Sequence, residues 1–167
     1  MCYMTKSPAV YHRPMSVLLF LLACQLMACG IDEDSSTDDQ FDPSLRVTIA
    51  DSAGNTIVQI AAETAVTAAE QQRGLMGRTQ LPDRGGMLFL NEVEEERVFW
   101  MKNTPLPLDL LFIDADNKIV SMKTNQQPYT LDPIPSEVPA QYVLEMKAGF
   151  ADRYGLQIGM TIIWTEL

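Results

Sequence analysis

The stretch FWMKNTPLPLDLLF, residues 99–112, sets Lys102, Asn103, Thr104 and Asp109 inside an apolar, proline-bent run. Pro105 and Pro107 exclude helix there and push Thr104 and Leu106 toward extended backbone. The polar groups therefore fall at a bend, where backbone without ladder partners needs side chains to satisfy it. Asn103 and Thr104 suit that task. Asp109 asks for more, because a carboxylate among Leu108, Leu110, Leu111 and Phe112 must be paired when buried. Arg73, Arg78 and Lys102 are the cations on offer, and the simplest expectation is a buried arginine–aspartate pair locking a short helix to a sheet. Two chemical readings go further. In one, Arg73, Arg78, Lys102, Asn103, Thr104 and Asp109 make a polar corner that binds an anion, a glycan or another small polar ligand. In the other, Asp109 and Glu145 are the general acid and base of a polysaccharide hydrolase, their separation setting the stereochemical outcome. Trp100, Tyr129, Tyr142 and Trp164 would then offer stacking surfaces, although aromatics at strand positions more often belong to a core.

Other chemistries are excluded by residue type. The cysteines Cys2, Cys24 and Cys29 and the single histidine His12 all precede residue 30. Residues 45–167 thus have no disulfide, no cysteine nucleophile, no histidine base and no His or Cys zinc site. No cofactor or metal is expected. Met76, Met87, Met101, Met122, Met146 and Met160 are soft enough for cuprous ion, but they are dispersed as core-filling methionines are. The acidic run NEVEEER, residues 91–97, lacks the spaced ligands and turn glycine of a calcium loop and reads as a solvated connection. A formal charge of −10 repels nucleic acid phosphates, so nucleic acid is not an expected partner.

Residues 1–28 read as a secretory signal peptide: Lys6, His12 and Arg13 precede the apolar run VLLFLLA and a small-residue exit. That run falls short of the roughly 20 apolar residues a spanning helix needs. LMACG, residues 26–30, looks like a bacterial lipobox with Cys29 as the lipidated residue, and Cys24 is the alternative. Such an anchor implies an exported protein of the cell envelope, and Gly30 after the cysteine favours the periplasmic face of the outer membrane. Loss of Lys6 and Arg13 with the leader would move the charge from −10 to −12. Residues 29–44, rich in aspartate, form a self-repelling flexible tether. Residues 45–167 are long enough for one domain, expected to be a monomer.

LRVTIA (45–50) and TIVQIA (56–61) alternate as strands around the turn residues DSAGN. TAAE (67–70) is a capping box that opens a short helix, with Gly77 placed to end it. Further strands are predicted at 86–90, 97–101, 108–114, 118–123, 142–147 and 160–166, and GFADRYG (149–155) makes one helical turn. The four prolines of PYTLDPIPSEVP (128–139) point to an extended crossover and argue against a central strand. The fold class is mainly β: a compact β-sandwich or squat barrel of about eight short strands with one or two short helices.

RGLMGR (73–78), GGMLF (85–89), FWMKNT (99–104), PLDLLFID (107–114) and YVLEMKAG (142–149) follow one another in an order that resembles the DUF192 family, also called UPF0127. The resemblance covers roughly residues 45–165 and implies a compact β-sandwich of unestablished biochemical role. Together these readings predict an envelope lipoprotein that serves as a binding or accessory module. The alternatives are the hydrolase and a scaffold for envelope protein partners.

Overall fold

The computed structural model describes residues 40–167. Strand β1 (Leu45–Ala50) turns back into β2 (Thr56–Ala65). Asp51 holds the turn by accepting the amides of Ala53 and Asn55 at 2.9 and 2.8 Å, and Gly54 supplies the positive φ of 84°. Helix α1 (Ala68–Arg73) opens with the predicted capping box, in which Thr67 and Glu70 each satisfy the other's amide. It closes at Gly74, earlier than Gly77. Gly74 has φ 48°, and the Phe89 ring lies 3.1 Å from where a Cβ would stand, so only glycine turns the chain there without strain.

β3 (Gly85–Phe99), β4 (Leu108–Ile113), β5 (Ile119–Gln126), β6 (Ile134–Lys147), helix α2 (Phe150–Tyr154) and β7 (Thr161–Glu166) complete the chain. Asn117, with φ 62°, forms the tight turn between β4 and β5. The strands build one sheet in the order β5-β4-β6-β3-β2-β1-β7, antiparallel except between β2 and β3. A bridge from Lys118 to Thr161 draws the two ends of the sheet together. The result is a mainly β, curled half-barrel, closer to the squat barrel than to a two-sheet sandwich.

Seven strands among the described residues replace the eight expected, because 86–90 and 97–101 are halves of β3. They are separated by a bulge after Leu90, where the Asn91 and Gln141 side chains bond each other's backbone carbonyls at 2.9 and 3.1 Å. The proline loop also needs correction. From Ile134 onward it is β6, and its prolines are tolerated because that half pairs with β3 alone, β4 joining β6 only from Tyr142.

The centre of the sheet is buried on both faces, and all six residues of β4 are inaccessible. Successive side chains alternate between two cores. Leu111, Leu144, Met146 and Leu88 meet β1, β2 and α2 on one face. Leu110, Phe112, Val143 and Phe89 meet Leu75, Leu81 and Met101 on the other. Double burial is why LDLLFI reads as an apolar run rather than an alternating strand. Gly86 lets β6 come close, since a Cβ there would stand 2.7 Å from the Glu145 carbonyl oxygen.

The fold begins earlier than Leu45. Phe41 packs on the second core, the Asp42 amide donates to Glu63 at 2.9 Å, and Ser44 is hydrogen-bonded to Ala62 and Leu167. The last residues assigned to the tether are therefore held against the sheet. The signal peptide and both candidate lipidation sites, Cys24 and Cys29, lie outside the described residues. Among those described, no helix is long and apolar enough to cross a membrane.

Candidate functional site

Asp109 is fully buried, and its partners are not arginines. One carboxylate oxygen accepts the amide of Asn125 at 2.8 Å, and the other accepts that of Ala151 at 2.9 Å. Asn125 lies at a bulge in β5 with φ 54°, and Ala151 is in the first turn of α2, where amides lack partners within the helix. Asp109 thus joins a bulge to a helix start. The expected arginine–aspartate pair is corrected, and with it the role of Asp109 as a ligand group.

The paired-carboxylate hydrolase is corrected by strand parity. Glu145 is opposite Leu110 and Met87 in its ladders, whereas Asp109 is opposite Met146. Directly paired residues share a face and neighbours in sequence do not. Asp109 and Glu145 therefore project from opposite faces of the sheet, and no glycosidic bond fits between them.

An arginine lock does exist, with another carboxylate. One guanidinium nitrogen of Arg78 bonds both oxygens of Glu63 at 2.7 and 2.8 Å, tying the turn after α1 to β2. Among the described residues, Nη1 of Arg78 is buried without a hydrogen-bond partner. Glu63 lies beyond the strand predicted at 56–61; continued alternation through AAETA, residues 61–65, is the signal that finds it.

The remaining members of the polar corner separate. Lys102 is exposed, its Nζ 5.4 Å from the centre of the Trp100 ring. Asn103 has φ 54°, and its carbonyl accepts the amide of Gly77 at 2.8 Å. Thr104 is buried at the bend: its hydroxyl donates to the Lys102 carbonyl at 3.2 Å, and its own carbonyl accepts the amide of Tyr129 at 3.1 Å. Arg73 and Thr104 line a groove of about 350 Å³ between α1 and the outer half of β3. Lys102 and Asn103 line a neighbouring hollow of about 290 Å³, and Arg78 and Glu63 a third of about 340 Å³. Arg73 borders all three.

Glu145 is at the floor of the first groove, 5% exposed. Among the described residues nothing hydrogen-bonds its carboxyl, and burial pushes its pKa up to about 8. At pH 7 it is a neutral carboxylic acid, a donor as well as an acceptor. Gln71 and Val98, which the sequence reading passed over, form opposite walls.

Fold and groove together define a small, mainly β domain with a polar-floored cleft beside an incompletely paired strand. The chain belongs to the DUF192 family, described as an uncharacterized ACR, whose model matches residues 48–164. A crystal structure of a proposed transcription regulator from Sinorhizobium meliloti 1021 is 35% identical, with a TM-score of 0.70, covering 75% of this chain and 97% of that one. A protein of unknown function from Novosphingobium aromaticivorans DSM 12444 is 38% identical, with a TM-score of 0.67, covering 71% and 84%. No curated protein matches the chain.

Two outcomes follow from the carboxylates. Asp109→Asn keeps one acceptor oxygen but turns an NH₂ toward the second amide, so urea denaturation should show a loss of about 2–3 kcal/mol. Glu145 makes stability depend on pH. Unfolded, it loses its proton near 4.5; folded, it keeps it to about 8. Between those values the folded state binds more protons, so stability falls as pH rises through the window and levels off above it. Compared at pH 5 and pH 8.5, Glu145→Gln should lack roughly 3–5 kcal/mol of the decline seen in the unaltered chain.

Proposed function

We propose that this protein is a lipid-anchored binding module of the bacterial cell envelope, and that its ligand sits in the groove between α1 and β3. The supporting observation is Glu145: a nearly buried carboxyl that no described residue hydrogen-bonds, on the floor of an accessible cleft, is left for a ligand to pair with. Trp100 at the rim adds apolar contact area. Anchoring through Cys29 is inferred from the lipobox-like sequence alone. The role suggested for the Sinorhizobium relative is disfavoured for this chain, since a formal charge of −10 opposes DNA binding.

The reading is checked by thermal unfolding of the full chain in mild detergent against envelope glycans, inorganic anions and short peptides. A ligand of the native state raises the midpoint, and the rise should disappear in Trp100→Ala and Glu145→Leu. Shifts that persist in both variants would place binding elsewhere. The anchor is tested separately: Cys29→Ser should move the protein from the membrane to the soluble fraction of expressing cells, and unchanged membrane association would exclude Cys29.

A further inference from the structure

β2 parts from β3 after the Ala65–Phe89 pair. The side-chain Nε2 of Gln71 on α1 fills the gap, donating to the Leu90 carbonyl at 3.0 Å and sharing its other hydrogen between the carbonyls of Val66 and Ala65 at 3.3 and 3.4 Å. Beyond that plug β3 keeps β6 on one side and, among the described residues, has no strand on the other. The Arg97 amide points to β6, where it donates to the Ser136 hydroxyl at 2.9 Å. Alternation along the strand therefore turns the amides and carbonyls of Glu96 and Val98 the other way, along the wall of the groove.

We propose that this open edge of β3 takes an extended, basic polypeptide segment as an added strand, lying in the groove above Glu145. The inference rests on the groove being the binding site and names its occupant. An edge that offers a donor and an acceptor at every second residue matches peptide backbone in the same repeat. Val98 and Trp100, 67% and 50% exposed, give such a strand apolar side-chain contacts.

Charge selects the partner. Of the two arginines that line the groove, Arg97 is paired with Glu95 at 2.7 Å and Arg73 is also engaged, while Glu96 on the wall, and Glu92 and Glu94 further along the same strand, form no ion pair among the described residues. A second copy of this chain would bring the same acids against them, a repulsion that protects open edges from self-pairing. Alternate lysines or arginines of a foreign strand are attracted instead. A basic side chain reaching the floor meets the unpartnered carboxyl of Glu145 and favours its ionised form.

The test is fluorescence anisotropy of labelled decapeptides with the full chain: alternating Lys and Val, alternating Glu and Val, and the Lys–Val peptide N-methylated at every second residue. The Lys–Val peptide should bind. The Glu–Val and N-methylated peptides should each bind at least ten-fold more weakly. Val98→Pro, which removes an amide outside the β6 ladder, should weaken Lys–Val binding at least ten-fold with little change in thermal midpoint. Equal affinity for the N-methylated peptide would show attraction by charge alone and overturn strand addition, whether or not the proline variant folds. No peptide binding, alongside a glycan-induced midpoint rise that Glu145→Leu abolishes, would overturn this occupant and leave the groove standing as a site. Silence to both would remove both.

Discussion

Burial of the central strands on both faces is the constraint from which the rest of this structure follows. With β4 and the inner parts of β3 and β6 covered above and below, every polar side chain there must find its own partner. Position in the alternation decides which partners are within reach. Asp109 faces the core that holds α2, and two backbone amides are waiting: one freed by a bulge, one left over at a helix start. Glu145 faces the other core and, among the described residues, meets none. The two carboxyls are near neighbours in the sheet, one held by two amides and the other with its pKa pushed up by burial.

The groove exists because the second core is unevenly covered. The turn after α1 presses Leu75 onto the sheet and Arg78 onto Glu63, closing one side. On the other, β2 ends before β3 does, and a six-residue helix with no buried residue is too slight to cover the remainder. The cleft is thus a product of unequal strand lengths. Its walls are a glutamine that finishes one ladder and a strand edge that begins no other.

Local chemistry was legible in the sequence. The bounds of β1, the Thr67–Glu70 box and the helical turn within residues 149–155 are each set by residues within a few positions of one another. What escaped depends on distant partners. The two halves of β3 read as separate strands because the bulge joining them is held by Gln141, and Pro135 and Pro139 are acceptable only because β4 stays away from them. The partners of Asp109 lie at Asn125 and Ala151, and as amides they carry no signature of residue type. Of the polar corner, Arg73 and Thr104 reach the groove. Glu145 was visible as a candidate, but its isolation from Asp109 is a matter of parity between strands that the sequence does not place side by side.

Glu63 joins parts of the molecule that are otherwise described apart. Its carboxylate accepts the amide of Asp42, where the chain enters the fold, and also holds Arg78, whose turn abuts the cleft. A pull along the incoming chain is borne first by Phe41 and by this carboxylate, and passes from there to the arginine. Glu63 is therefore a mechanical junction: a displacement of the entering chain strains the same carboxylate that holds the Arg78 turn beside the cleft.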